Sequence, residues 1–194
     1  MVTRDGRWVL VRTVRPAQNE RNTVVPKWVT ESGYTEDING RTKVGDAQGQ
    51  GRFGLLDTRS DSIRWLDVAP DDYEAKETAR VQNAGWNDAG TKAFVFSVSS
   101  DNKERWLWTV DAATGERTLL DHLHDAAWVG GPCFARCVGF VPGTDRVWFV
   151  SEKSGYAHLY TVNADGTRKQ SLTSGDWEVL GVSRNPWPSA TTRR

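Results

Sequence analysis

The 194-residue chain has little of several features that would assign its class at once. It has only 2 cysteines, too few for a disulfide framework. Lysine plus arginine and aspartate plus glutamate both number 25, so no basic excess marks a nucleic-acid surface or a polybasic membrane surface. No stretch approaches the roughly 20 apolar residues of a membrane span, and no signal peptide follows Met1. These absences favour one domain that acts without nucleic acid or a membrane span.

What the chain does have is 10 tryptophans and 18 glycines, a composition typical of a turn-rich β protein. A motif also occurs twice, about fifty residues apart. Residues 86–97 read W-N-D-A-G-T-K-A-F-V-F-S, and residues 140–151 read F-V-P-G-T-D-R-V-W-F-V-S. Each copy is followed by a strand-like stretch ending in Thr-Val-Asp or Thr-Val-Asn, a glycine turn and a short third stretch. Repeats of this length built only from strands are typical of β-propeller blades.

A third, less obvious copy opens the chain, where residues 5–11 read D-G-R-W-V-L-V. In the other two copies, about 20 residues separate the turn glycine from the Asp or Asn that closes the next strand. In this copy the corresponding distance, from Gly6 to Asp57, is some thirty residues longer. We therefore expect an insertion at about 20–50 inside the first blade. Such an insertion projects as a loop or hairpin from one face of a propeller, where repeat proteins usually bind their ligands.

The predicted fold class is all-β: a partial β-propeller of about three four-stranded blades over residues 1–182, followed by an irregular tail at 183–194. Because propeller rings close with roughly four to eight blades, we expect the chain to be part of a larger protein. One helical turn at most is expected at 70–77. The predicted strands lie near 7–14, 54–57, 62–66, 80–86, 92–99, 105–110, 117–120, 135–141, 146–151, 157–162 and 169–172, with a fourth blade starting at 178–182.

Two neighbouring stretches of the third repeat carry a family resemblance. Residues 151–160 read S-E-K-S-G-Y-A-H-L-Y, and residues 172–179 read L-T-S-G-D-W-E-V. They resemble the propeller of dipeptidyl peptidase IV-like serine peptidases, including bacterial ones, in the prolyl oligopeptidase family. Those propellers carry Ser-Glu-x-x-Gly-aromatic-x-His-Leu-Tyr, then Leu-Thr-x-Gly-x-Trp-Glu-Val. The stretches 30–37 and 40–46 also resemble bacterial members, and the likeness extends over about residues 1–182.

This resemblance implies a propeller that gates and positions peptide substrates for a C-terminal α/β-hydrolase domain with a Ser-Asp-His triad. The chain has no Gly-x-Ser-x-Gly elbow, so we assign no catalytic residue within it and expect it to be inactive alone. The implied partners are peptide substrates, the missing hydrolase domain and, in the full-length protein, a second copy as a homodimer. Relatives of this kind are often periplasmic or secreted. The alternative is a non-enzymatic TolB-like propeller that serves as a protein-interaction module.

Peptidases that remove dipeptides bind the substrate's free amine with paired glutamates, since an ammonium offers three donors in a compact charge. This chain has no Glu-Glu pair. Its nearest equivalents are Glu36 with Asp37 and Asp71 with Asp72. They are weak candidates for substrate binding, and solvated loop acids are the competing interpretation.

No metal or cofactor is expected. His122, His124, Cys133 and Cys137 have a loosely zinc-like spacing, but the sequence suggests no residue that would orient these side chains towards a metal ion. We interpret the cysteines as small buried apolar residues and these histidines as exposed. His158 lies within a strand and is expected to tie neighbouring strands by a hydrogen bond. The acidic turns at 111–115 and 163–167 lack the ligand count of calcium loops and are predicted to be Asx-type hairpin turns.

Overall fold

The computed structural model describes residues 1–19, 21–40, 42–43, 46–47 and 49–183, and these are almost entirely strands and turns. Two short 3-10 helices, Lys76–Thr78 and Phe134–Arg136, are the helical segments of this part of the chain. The strands, in chain order, are β1 (Trp8–Arg15), β2 (Val24–Lys27), β3 (Glu36–Asn39), β4 (Gln50–Asp57), β5 (Ser62–Leu66), β6 (Arg80–Trp86), β7 (Lys92–Val98), β8 (Glu104–Asp111), β9 (Arg117–His124), β10 (Val138–Phe140), β11 (Arg146–Ser151), β12 (His158–Asn163) and β13 (Gln170–Ser171).

Eleven of these strands form three antiparallel sheets that follow one another along the chain, and β2 and β3 pair separately as a hairpin. The first sheet has the order β1-β4-β5, the second β6-β7-β8-β9 and the third β10-β11-β12-β13. Each of the last two is an up-and-down meander of four strands, the structure of a propeller blade. The predicted all-β propeller fold is therefore confirmed.

The first sheet has three strands where four were predicted. The first residues of the chain take the place of the innermost strand of this sheet, as an isolated antiparallel bridge between Val2 and Val9 shows. The Leu10 amide also donates to the Met1 carbonyl at 2.8 Å. β1 therefore corresponds to the second strand of the later sheets, β7 and β11.

The predicted insertion in the first sheet forms a hairpin of β2 and β3 between β1 and β4. Val25 pairs with Ile38 and Lys27 with Glu36, and every residue of both strands is exposed. A short hairpin without a packed face is marginally stable in water. The hairpin between β1 and β4 is thus an exposed arm, and none of the described residues of this connection belongs to a core cluster.

Packing between sheets follows the two-residue period of strands. Val95 packs into the cluster between the first and second sheets, whereas Phe94 and Phe96 pack between the second and third. Fully burying one such side chain contributes about 1.5 to 3 kcal/mol. The second sheet therefore contributes to two cores at once, and these cores hold it against the first and the third sheet.

The same cross-strand pair recurs in the second and third sheets. Gly85 pairs with Phe94, and Gly139 pairs with Trp148. A Cβ on Gly85 would meet the Phe94 ring at 2.6 Å, and one on Gly139 would meet the Trp148 ring at 3.1 Å. An innermost-strand glycine therefore makes room for an aromatic ring from the next strand.

The fourth blade does not begin where it was predicted. Residues 178–182 form no strand, and the Val179 amide makes a single backbone bond to the Ala157 carbonyl at 2.8 Å. Val179 and Val182 instead pack on Cys133 and Cys137, over the open side of the third sheet. Apolar packing without a partner strand leaves this segment irregular. Residues 184–194, most of the predicted tail, lie outside the described residues.

Candidate functional site

The two ends of the three sheets differ in how their strands are joined. At one end the connections are tight turns, at 4–7, 58–61, 87–91, 112–116, 141–145 and 164–168. At the other end lie the long connections, at 16–49, 67–79, 125–137 and 172–183, together with two short ones at 99–103 and 152–157. We name this second end the loop face. Binding residues concentrate on loops held by a rigid scaffold, so the loop face is the candidate functional surface.

Exposed aromatic side chains support this choice. The long connections and the loop at 152–157 carry Trp28, Tyr34, Trp128, Tyr156 and Trp177, which are between 41% and 81% exposed. No exposed large hydrophobic side chain of the described residues lies in the tight turns at the other end. Aromatic rings with one apolar face and one polar edge are typical of recognition surfaces.

The acids singled out in the sequence all belong to loop-face connections. Glu36 and Asp37 lie on exposed β3. Asp71 forms an ion pair with Arg117 at 2.9 Å, and 76% of the Asp71 side chain is exposed. Among the described side chains, no hydrogen bond or ion pair joins one acid pair to the other. A role for any of these acids in substrate binding stays a prediction.

A buried ionic cluster lies beneath the loop face, between the second and third sheets. Arg105 of β8 pairs with Asp121 of β9, and both side chains are almost fully buried. The same guanidinium donates to Ser151 Oγ at 3.1 Å, and Lys169 Nζ approaches Asp121 at 2.9 Å. Burial lowers the pKa of the Arg105 guanidinium, and Asp121 opposes this. The cluster fixes β8, β9 and β11 relative to one another at the base of the loops.

Glu104 holds the two nearby histidines. His122 Nε2 and His124 Nδ1 each lie 2.6 Å from a different oxygen of this carboxylate, and His122 also stacks on Trp106. Since an ionised carboxylate only accepts hydrogen bonds, both imidazoles donate to it. The prediction that these histidines are exposed is confirmed by their half-exposed side chains.

The cysteines are buried as expected, but the expectation that they pack as separate apolar residues is wrong. Cys133 and Cys137 form a disulfide across the 3-10 helix Phe134–Arg136. Their sulfurs are bonded to each other, while the histidines of the same spacing pattern bind Glu104. Within the described residues no group of three histidines, cysteines or acids is arranged to hold a metal ion.

The two family-like stretches of the third repeat lie against each other. His158, which is buried, contacts Thr173 Oγ1 at 3.1 Å and the Gly175 carbonyl at 3.0 Å. Its ring also meets the Trp177 ring edge-on, with centroids 5.2 Å apart. His158 therefore ties β12 to the segment after β13, which agrees with the role expected from the sequence.

Glu152 is the first residue of the loop at 152–157, within the family-like stretch 151–160. Burial raises the pKa of its carboxyl, and the negative charges of Glu178 and Asp125 raise it further, while Arg105 opposes them. Gly131, at φ 107, lies so close that an added Cβ would be 3.1 Å from the Glu152 carboxyl carbon. The loop face thus holds one acid whose charged form is disfavoured.

The exposed aromatic and charged side chains of the loop face can bind and position a ligand. In a Ser-His-Asp triad, the serine hydroxyl donates a hydrogen bond to a histidine. In the described part of the chain, no hydrogen bond joins a serine side chain to a histidine, and His158 contacts a threonine that already accepts the Leu159 amide at 3.0 Å. No described helix is long and apolar enough to cross a membrane.

Sequence reasoning missed the buried cluster and the disulfide. A charged residue inside an apolar strand was the available signal for the cluster, since Arg105 precedes W-L-W-T-V and Asp121 follows T-L-L. A buried charge needs a partner, so the two could have been matched.

Comparison with known proteins places these observations in a family. Residues 17–186 match the model of the dipeptidyl peptidase IV (DPP IV) N-terminal region. A probable dipeptidyl peptidase 4 of Trichophyton verrucosum is 33% identical over 120 residues, which are 62% of this chain and 13% of that protein. Dipeptidyl peptidase 4 of Trichophyton rubrum is 25% identical over 120 residues, with the same coverage. The chain thus matches a small part of the length of these relatives.

Two solved structures share the fold. A putative dipeptidyl aminopeptidase IV from Bacteroides ovatus superimposes with a TM-score of 0.67 at 16% identity, over 94% of this chain and 27% of that one. Porphyromonas gingivalis dipeptidyl peptidase 4 gives 0.63 at 15% identity, over 92% of this chain and 24% of that one. Together with the match over residues 17–186, this means that the chain belongs to the family of dipeptidyl peptidase IV N-terminal regions.

Proposed function

We propose that the chain is the non-catalytic propeller portion of a dipeptidyl peptidase IV-like serine peptidase. In this role the loop face admits and positions short peptides for an α/β-hydrolase domain. The observation that carries the proposal is the family match over residues 17–186. The concentration of long connections and exposed aromatic rings at one end of the sheets supports it.

The division of labour is consistent with the chemistry of the described residues. Peptide cleavage by a serine needs an activated nucleophile and donors for the oxyanion, and the sequence has no Gly-x-Ser-x-Gly elbow. What the loop face offers is exposed Trp and Tyr side chains on a rigid base. Such rings suit contact with the side chains of a bound peptide.

The first test uses the 194-residue chain alone. We expect no hydrolysis of Gly-Pro or Ala-Pro chromogenic substrates and no labelling by a fluorophosphonate serine probe. Labelling that disappears when one serine is replaced would contradict a non-catalytic role.

The second test addresses gating in the complete protein encoded by the gene. Replacing the connection 16–49 by a short hairpin turn should raise kcat/KM for long peptides relative to dipeptidyl chromogenic substrates, because an arm of the loop face is removed. The control inserts Gly-Ser into the tight turn at 58–61, at the opposite end, and should leave the ratio unchanged. An equal ratio in both variants would reject gating by this arm.

A further inference from the structure

A groove of about 720 Å³ runs along the inner edges of the second and third sheets. Residues of β6 and β10, the innermost strands of these sheets, line it. Innermost strands of propeller blades face the central channel, so the groove is part of the channel wall. It lies towards the tight turns, because Asp88 and Pro142 are among its residues. Its volume is within the roughly 300 to 1,000 Å³ of ligand sites.

The groove lies against the edge of β6. Four consecutive residues of this strand, at 83–86, line it. Because a strand turns alternate side chains to opposite faces, a run of consecutive residues meets the groove with its backbone edge and not with one face. β6 is also the edge strand of the second sheet, whose order is β6-β7-β8-β9.

The strand register shows which backbone groups point into the groove. In an antiparallel pair only every second residue exchanges backbone hydrogen bonds with its partner. The Asn87 amide donates to the Lys92 carbonyl at 2.9 Å, so the next pair, Trp86 with Ala93, does not exchange such bonds. Trp86 and Ala84 therefore direct their amides and carbonyls away from β7, towards the channel. Among the described residues no backbone hydrogen bond reaches either of them from that side.

This edge lacks the features that usually prevent the addition of a strand. Proteins protect edge strands with charged residues, prolines and bulges. Residues 84–86 read A-G-W, and the bulge of β6 lies before them, between Val81 and Asn83. The neighbouring edge strand β10 has only 3 residues and is soon followed by Pro142, which has no amide to donate. β6 is therefore the better template.

Apolar rings lie on both sides of the β6 edge. A strand added to β6 extends the second sheet inward, so its alternate side chains point towards the first and the third sheet. On the first-sheet side lies Trp86, which packs against the core shared with that sheet. On the third-sheet side lies Phe140, with its ring centroid 6.0 Å from that of Phe94. The charged side chain among the described lining residues is Asp88, so the groove does not favour an anionic ligand.

We infer that the β6 edge binds an apolar peptide segment in extended conformation, as an additional strand of the second sheet. Main-chain hydrogen bonds to Ala84 and Trp86 hold the peptide, and its alternate side chains pack beside Trp86 and Phe140. The inference goes beyond the proposed function, because this site lies towards the end opposite to the loop face and needs no hydrolase domain. Its failure would leave the proposed function untouched.

Isothermal titration calorimetry of the 194-residue chain tests the inference. The probe is an acetylated and amidated Lys-Leu-Phe-Leu-Lys peptide, whose lysines keep it soluble. The control peptide has the same side chains, but its backbone amides are methylated, so it has no donors for pairing as a strand. We expect saturable binding of the probe and binding of the control that is weaker by about tenfold or more. Absence of saturable binding, or equal binding of the two peptides, overturns the inference.

The variant Ala84→Pro removes the channel-side amide and no hydrogen bond to β7, so the probe should bind about tenfold more weakly. The matched control is Val24→Pro on exposed β2. There the Thr23 carbonyl accepts the Gly40 amide at 2.7 Å, so the next residue, Val24, also directs its amide away from its partner strand.

The Val24→Pro chain should bind the probe like the parent chain, and equal binding by the two proline variants overturns the inference. Far-UV circular dichroism checks that Ala84→Pro folds. If it does not, the comparison of the probe with its methylated control on the parent chain decides the question.

Discussion

At the scale of single residues, Arg105 has the largest structural consequence. Its guanidinium is buried between the rings of Phe96 and Phe149, 5.5 and 5.8 Å from their centroids. It also reaches the Val150 carbonyl and Ser151 on the third sheet. One side chain therefore links two blades, and its charge is acceptable there because Asp121 is beside it.

Replacing Asp121 by alanine should lower the free energy of unfolding by about 3 to 5 kcal/mol, because it leaves the buried Arg105 charge without its partner. Urea denaturation followed by tryptophan fluorescence measures the change.

The control for this substitution is Asp71→Ala, which removes an ion pair with Arg117 in which the aspartate side chain is 76% exposed. Exposed pairs contribute about 0 to 1 kcal/mol, so this variant should unfold almost like the parent chain. If the two variants lost the same stability, the buried cluster would not be the stabilising feature described here.

At the scale of elements, the sequence predicted the first three strands of the second sheet well, but it ended β9 four residues early and predicted the site beneath the loop face poorly. Regular alternation and glycine turns located β6 and β7 to within a residue, because both signals are local. The pairing of Arg105 with Asp121 depends on a register shift between β8 and β9 at Leu107 and Trp108, and no local pattern encodes it. The strand predicted at 178–182 is missing because alternation shows only that a segment can form a strand. Whether it does depends on a neighbouring strand that pairs with it, and a local pattern does not show that neighbour.

The acidic turns at 111–115 and 163–167 were predicted to be Asx-type hairpin turns, and the structure confirms this. Asp57, before the turn at 58–61, makes the same kind of contact. Asp57 accepts the Arg59 amide at 2.9 Å, and Asp111 accepts the Ala113 amide at 3.0 Å. Asp165 repeats the arrangement in the third sheet with the Thr167 amide. Hydrogen bonds from backbone amides lower the pKa of the Asp57 and Asp111 carboxyls below the ordinary value of 3.8. The pKa of Asp165 is lowered mainly by the Thr167 hydroxyl and then by the Thr167 amide.

These lowered pKa values predict a dependence of stability on pH. A carboxyl whose pKa is lower in the folded chain stabilises it above the unfolded pKa, and this contribution is lost as pH falls through the folded pKa. The variant Asp57→Asn/Asp111→Asn/Asp165→Asn keeps an acceptor oxygen in each turn but no longer titrates. Its free energy of unfolding should fall less steeply than that of the parent chain below about pH 4, measured by urea denaturation over a pH series.

A control with the same change in net charge separates capping from general repulsion. Asp61→Asn/Asp72→Asn/Asp176→Asn removes three aspartates that are exposed and do not cap a described turn. This variant should retain the steep loss of stability in acid. A shallower loss in the control than in the turn variant would contradict the assignment to the turns.

At the scale of the whole molecule, the two outer sides of the three-sheet arc are unequal. The far side of the third sheet is covered by the disulfide segment and by Val179 and Val182. On the face of the first sheet that points away from the second sheet, Val9, Leu56 and Ile63 lie in one cross-strand row, and Ile63 is 38% exposed. Blade stability depends on contacts between neighbours, so the uncovered row is a surface suited to self-association.

We therefore expect the 194-residue chain to self-associate through the first sheet. Size-exclusion chromatography with light scattering should give a dimer or larger species, and Ile63→Lys should shift the chain towards monomer because a charge cannot be buried unpaired in an apolar contact. The control Leu119→Lys places the same charge on an exposed leucine of the second sheet and should leave the association unchanged. A parent chain that is a monodisperse monomer with a cooperative, high-temperature melt would contradict this prediction. It would mean that the first sheet is stable without a neighbour, because its contacts with the second sheet already supply enough buried apolar area.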